Sequence, residues 1–193
     1  LTHAIERMPY EPAPYYSRGA ARERINDLLG ARDDFTRVIA LKPDYEWAWN
    51  DMGQINITLQ HFEDAESDLK QAIKLKPDWT SPVFNLGLLF EAKKEPYKAL
   101  EYYLQSLKID STNHMAYNNI GYIYYTLKNY KEAIAWYTKA IKVYPRYLNA
   151  YRNRADAKNN MGDKTGACED LKIALDMGDT KALQLYNDTC MKK

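Results

Sequence analysis

Apolar residues return at helical spacing along this chain, stop at a polar break, and then return again. Tyr117, Ile120, Gly121 and Tyr124 fall at the i, i+3, i+4 and i+7 positions that share one face of a helix. Polar residues around Asn129 interrupt the run, and Ala133, Trp136, Tyr137, Ala140 and Ile141 open a second face of the same kind. The pattern predicts two helices joined by a tight turn with Asn129 at its tip, and a matching turn at Gly162. First helices of this kind begin three residues before Trp49, Val83, Tyr117 and Tyr151.

The pairs keep a fixed period. Leu-Lys-Pro-Asp occurs at 41–44 and again at 75–78, so Pro43 and Pro77 lie 77 − 43 = 34 residues apart. Steps of 34 from Pro43 reach Pro9, Pro77, Ser111, Pro145 and Asp179, and four of these six positions hold proline, which cannot continue a helix. Other columns run in register. Gly19, Gly53, Gly87, Gly121 and Ala155 form a small one, as do Ala31, Ala65, Ala99, Ala133 and Ala167. Phe35, Leu69, Tyr103, Tyr137 and Leu171 form a large one, followed by the small Val38, Ala72, Ser106, Ala140 and Ala174. Glycine in mid-helix is wasteful on propensity, but the missing side chain lets paired helices approach while large neighbours fill the space beside it. The array therefore divides into repeats 12–45, 46–79, 80–113, 114–147 and 148–181.

A 34-residue helix-turn-helix with these aromatic, Leu-Gly, Ala and Pro columns resembles the tetratricopeptide repeat, over nearly the whole chain and most fully in the middle three repeats. The resemblance implies an all-α fold: a right-handed α-solenoid of stacked antiparallel helix pairs, with eleven or more helices and no strand. At the ends the pattern frays. Arg18 and Arg154 replace Met52, Leu86 and Ile120, while Arg22 and Lys158 replace Asn56, Phe90 and Tyr124, so the outer first helices are expected to be wetter than the rest. Residues 1–11 read as the remnant of a preceding repeat, with Ala4 and Ile5 in the columns of Ala72 and Ile73, and residues 182–193 as a capping helix and tail. That remnant and the absent initiator Met suggest a piece of a longer protein.

Composition narrows the function. A formal charge of +1 argues against nucleic acid as the main partner, and no apolar run approaches the roughly 18 residues of a membrane span, so membrane insertion is not expected. Among 17 tyrosines, Tyr122 and Tyr125 lie off the packing columns and are open to a ligand. Candidate chemistry is sparse. His3, His61 and His114 lack metal-pair spacing and read as surface residues. The segment 162–167, Gly-Asp-Lys-Thr-Gly-Ala, lacks the spacing of a phosphate loop, and the sequons at Asn56 and Asn187 fall inside predicted helices. Without a convergent acid, base or nucleophile set, neither an enzyme nor a cofactor is expected.

Cys168 opens the last repeat's second helix and Cys190 ends the cap. Two readings stand: two buried thiols in a reducing compartment, which is preferred, and a disulfide that staples the cap. The ending around Gly162–Asp179 with its late cysteine resembles repeat proteins of bacterial groups that export many of them, which tilts the location towards an exported, periplasmic protein over a cytoplasmic one.

The expected function is an interaction scaffold that binds another protein or peptide in a concave groove; the alternative is a regulatory or docking arm of a larger enzyme or assembly. The outward face of each first helix supplies the groove: Trp47, Asn50, Asp51 and Gln54, then Phe84, Asn85 and Leu88, then Asn118, Asn119 and Tyr122, then Arg152, Asn153 and Asp156. The column Asp51, Asn85, Asn119, Asn153 offers amides that could grip a peptide backbone, with Trp47, Phe84 and Tyr122 as apolar anchors. The competing reading has each Asn bonding between neighbouring helices, as is common in this column of the family. Family members that clamp a C-terminal carboxylate place Lys and Arg among the asparagines; Phe84, Leu88, Asn149 and Asn153 stand in the matching places here, so no carboxylate clamp is expected. The oligomeric state is left open.

Overall fold

The computed structural model describes residues 2–191, and every regular element among them is helical. A short α1, Thr2–Arg7, precedes five helix pairs: α2 Pro12–Arg24 with α3 Leu28–Leu41, α4 Glu46–Thr58 with α5 Phe62–Leu75, α6 Thr80–Ala92 with α7 Pro96–Ile109, α8 His114–Thr126 with α9 Tyr130–Val143, and α10 Leu148–Asn160 with α11 Lys164–Asp176. The chain ends in α12, Ala182–Tyr186, and a π-helical turn, Asn187–Met191. The side chains of residues 1–4, and with them the positions expected for His3 and Ala4, lie outside the described set.

One turn geometry joins the partners of each pair. Asn26, Gln60, Lys94, Lys128 and Gly162, spaced 34 apart, all adopt positive φ, between 60° and 85°. Only the last is glycine and the first is asparagine, so three turns, at Gln60, Lys94 and Lys128, carry the left-handed conformation on a residue that disfavours it. The tip expected at Asn129 therefore lies one residue earlier, at Lys128. Asn129 instead caps α9, its Oδ1 accepting from the Glu132 amide at 3.4 Å. Asp27 and Asp163 cap α3 and α11 in the same way, at 3.0 and 2.9 Å.

The chain forms two compact units, residues 1–102 and 103–193. In the first, Ala31, Phe35, Met52 and Ile55 form one core cluster and Ala65, Leu69, Leu86 and Leu89 another. The small columns set how closely the pairs approach: a Cβ added at Gly19 would lie 2.7 Å from Phe35, and one at Gly53 would lie 2.6 Å from Leu69. In the second unit, Ala133, Tyr137 and Ala157 pack together, and Tyr151, Ala155, Leu171 and Ala174 continue the core onto Ala182 of α12. Gly121 leaves room for the Tyr137 ring, 2.7 Å from where its Cβ would stand.

The outer first helices do bury less than the middle ones, with only Pro14 and Gly19 buried on α2 and four residues on α10 against six, seven and five on α4, α6 and α8, but their cations are partnered. Arg18 donates from two nitrogens to Asp34, at 2.9 and 2.6 Å, and Arg22 reaches the same carboxylate at 2.8 Å. In the second unit Arg154 holds Asp170 at 2.8 and 2.6 Å, and Lys158 adds a contact at 2.8 Å. Asp34 and Asp170 are each only 2% exposed. The second helix of the pair brings its own carboxylate to the cations, so the outer pairs exchange an apolar contact for a bidentate ion pair. Asp68 occupies the same column with no cation against it among the described residues. Its Oδ2 accepts from Asn56 Nδ2 at 2.8 Å, and burial, against that hydrogen bond, pushes the carboxyl up to about 6. Asn56 Oδ1 is buried without a hydrogen-bond partner among the described residues.

The preferred reading of two free thiols is not the state found. Cys168 and Cys190 form a disulfide across 22 residues, their Cα atoms 5.8 Å apart, because α12 and the π-helical turn pack back against α11.

Candidate functional site

In the first unit, the packing of α6 on α4 places the first-helix faces side by side. Their polar residues join into one chain of hydrogen bonds. Tyr16 Oη donates to Asp51 Oδ2 at 2.7 Å, Asn50 Nδ2 donates to Asp51 Oδ1 at 3.0 Å, and Asn85 Nδ2 donates to Asn50 Oδ1 at 2.9 Å. Gln54 Nε2 closes onto Asn85 Oδ1 at 3.3 Å. Asn50 and Asn85 are 4% and 2% exposed. The amide ladder is thus spent largely between helices, and Asn85 is too deep to meet the backbone of a ligand. Trp47, at 44% exposure, stands clear of the network, its ring centroid 4.6 Å from that of Trp79. Phe84 and Leu88 are half-buried on α6.

Burial raises the Asp51 carboxyl above its ordinary range, although the bonds from Tyr16 and Asn50 oppose the shift. Tyr16 is driven well above the usual phenol range, first by burial and then by its bond to Asp51. Glu23 on α2 is also raised, by burial first and by the charge of Asp51 second.

The second unit repeats the device on α8 and α10. Asn153 Nδ2 donates to Asn118 Oδ1 at 3.0 Å, Asn118 Nδ2 to Asn119 Oδ1 at 3.3 Å, and Asn119 Nδ2 to Tyr103 Oη at 3.2 Å. Asn118 is buried; Asn119 and Asn153 are half-buried. Tyr125 Oη donates to Asp156 Oδ2 at 2.6 Å, and burial followed by that bond pushes the phenol up to about 12. Tyr125, open to a ligand on sequence grounds, is therefore tied to the next first helix. Arg152 is bound to Asp179 and, at 2.8 Å, to Asn149. Tyr122 remains 45% exposed.

Sequence reasoning named most members of this face but missed Tyr16, Glu23 and the direction of the amides. The signal was available: Tyr16–Asp51, Asn50–Asn85 and Asn118–Asn153 all lie 35 residues apart, one position more than the repeat. The other candidates sit elsewhere. His61 lies 3.4 Å from Arg32, and His114 packs between Tyr144 and Tyr147 at 4.7 and 4.6 Å. No helix among the described residues is long and apolar enough to cross a membrane.

Models of the tetratricopeptide repeat match residues 48–78, 82–113 and 114–147. The Protein STIP1 homolog of Dictyostelium discoideum is 31% identical over 106 residues, 51% of this chain and 18% of that protein. Protein O-mannosyl-transferase TMTC3 of Homo sapiens is 32% identical over 72 residues, 37% of this chain and 8% of that protein. The chain thus spans less than a fifth of either relative. Among solved structures, YrrB, described as a TPR protein with an unusual peptide-binding site, superposes with a TM-score of 0.65 at 19% identity, covering 95% of this chain and 96% of that one. A tetratricopeptide repeat protein from Parabacteroides merdae gives 0.77 at 17% identity over 99% and 75% of the two chains. Yeast Tom70 gives 0.82 at 18% identity over 98% and 42%. These last three likenesses are of fold.

Proposed function

Because the chain belongs to the tetratricopeptide repeat family, whose repeats serve as protein–protein interaction scaffolds, we propose that its first-helix faces hold an extended segment of another protein. The observation that carries this reading is the contrast within each face. A hydrogen-bonded polar network fixes the helices, while a large aromatic, Trp47 in one unit and Tyr122 in the other, stands nearly half exposed beside it. Rigid, partly exposed aromatics are the side chains that anchor partners at low entropic cost. Gln54, Asn119, Asn153 and Asp156, half-buried with polar atoms to spare, supply the backbone contacts, while Asn50, Asn85 and Asn118 act as supports.

A second reading is favoured by the small share of its relatives that the chain spans: the repeats work as the docking arm of a longer protein. The Cys168–Cys190 bond supports work in an oxidising compartment.

Panning a random peptide library against the immobilised chain tests the groove. Retained peptides that are lost from Trp47→Ala and Tyr122→Ala variants of unchanged helicity support it. Peptides indifferent to both substitutions place the site elsewhere.

A further inference from the structure

We propose that the groove within residues 1–102 selects a segment bearing a lysine or arginine whose aliphatic stem enters a part-apolar cavity and whose charge meets Glu23, with the charge of Asp51 behind it. This rests on the groove reading above and adds the chemistry of the occupant. A cavity of about 280 Å³ opens among Leu28, Ile55, Ile57 and Leu88, with Glu23, Gln54 and Thr58 as its polar part. Its size falls just below that of ligand sites, roughly 300–1,000 Å³, and suits one long side chain of a larger partner.

The charge at its edge is one-sided. Glu23 is half-buried and feels the Asp51 carboxylate, and neither acid has an ion-pair partner among the described residues. The cations of α2 do not serve them: Arg18 and Arg22 are engaged by Asp34, and Arg24, exposed at the helix end, pairs with neither acid. Tyr16 and Asn50 hold Asp51 in place and leave its negative charge uncompensated. Two carboxylates lifted by burial, Glu23 also by the charge of Asp51, gain most from an incoming cation, because the same low dielectric that penalises them alone strengthens the pair. Long basic side chains fit such a boundary, with methylenes along the Ile57 and Leu88 walls and the charged head at the rim.

The test measures fluorescence anisotropy with three labelled ten-residue probes of one Leu/Ile frame, carrying Lys, Gln or Glu at alternate positions. The Lys probe is expected to bind at least about tenfold more tightly than the Gln probe, and the Glu probe least. In Glu23→Gln the Lys advantage over Gln is expected to shrink to near unity without a fall in melting temperature. Equal binding of the Lys and Gln probes to the unmodified chain, or a Lys advantage undiminished in Glu23→Gln, overturns the inference, as does a Lys probe that fails to bind at all. The groove is read separately with Leu88→Arg, which fills the cavity. If Lys and Gln probes bind equally and both are lost in that variant, the charge inference falls and the groove stands; if the Lys probe binds that variant as it binds the unmodified chain, the groove reading itself falls.

Discussion

Asn85 donates from its amide nitrogen to the amide oxygen of Asn50, 35 residues earlier, at 2.9 Å, and so ties the first helix of one repeat to that of the repeat before it. Both side chains are buried, which makes the pair a structural joint first and a candidate for ligand contact only at second hand. Asn85→Ala removes the donor, leaves Asn50 Oδ1 and Gln54 without their partner, and is expected to cost about 1–3 kcal/mol. Urea unfolding followed by circular dichroism checks this. An unchanged midpoint would return the amide to the role of a free ligand-binding group.

Gly121→Leu is expected to destabilise by about 1–3 kcal/mol through overpacking. Even a first carbon would lie 2.7 Å from the buried Tyr137 ring and 3.2 Å from the Ala133 carbonyl, and the backbone of α9 cannot yield as a flexible side chain would. Gly162→Ala has no such clash, since nothing lies within 4 Å, and pays only for its φ of +85°. A thermal melt of the two variants separates packing from backbone strain.

Asp68 makes stability depend on pH. Its folded carboxyl titrates at about 6, above the ordinary 3.8, because burial favours the neutral form and only Asn56 compensates. An acid raised on folding contributes stability that is fully present below its unfolded value and is lost as pH rises through its folded value. The chain is therefore expected to gain stability from this group on going from pH 7 to pH 5, and Asp68→Asn to be the more stable protein at pH 7 with that gain removed. Melting temperatures of both proteins at pH 5, 6 and 7 give the answer; parallel curves would contradict it.

The disulfide between Cys168 and Cys190 closes a loop spanning 22 residues, for which chain-entropy arguments give about 3 kcal/mol. Cys168→Ser with Cys190→Ser is expected to lower the melting temperature and to free α12 to exchange its amide hydrogens, while α2 to α6 keep their protection. Exchange monitored by mass spectrometry resolves the two ends.

The helices were legible because their information is local and periodic: proline stops, small columns and apolar spacing recur every 34 residues. The partners of the outer cations were not. The lower burial of α2 and α10 could be read from Arg18 and Arg154, but Asp34, 16 residues beyond Arg18, becomes its neighbour only when α2 and α3 pair. The turn tip misled for a related reason. Asn129 is the residue that tolerates positive φ well, but its side chain was needed for the cap, and Lys128 took the strained conformation instead. Asparagine identity likewise marked the first-helix face but not which way each amide turns, since that depends on a partner one repeat away. Nothing local distinguished Asn85 as a joint from Gln54 as a surface.

Site-specific photocrosslinking tests the groove most directly. A benzophenone side chain is placed at Leu88, at Tyr122 or, as the control, at the exposed Lys139 of the second helix α9, and the chain is irradiated with its cellular partners. The groove reading predicts that Leu88 and Tyr122 each capture a segment of a partner protein, mapped by tandem mass spectrometry to a short extended stretch, while Lys139 captures nothing in common with them. Capture from Lys139 alone, with Leu88 and Tyr122 silent, would contradict it and move the binding surface to the second helices.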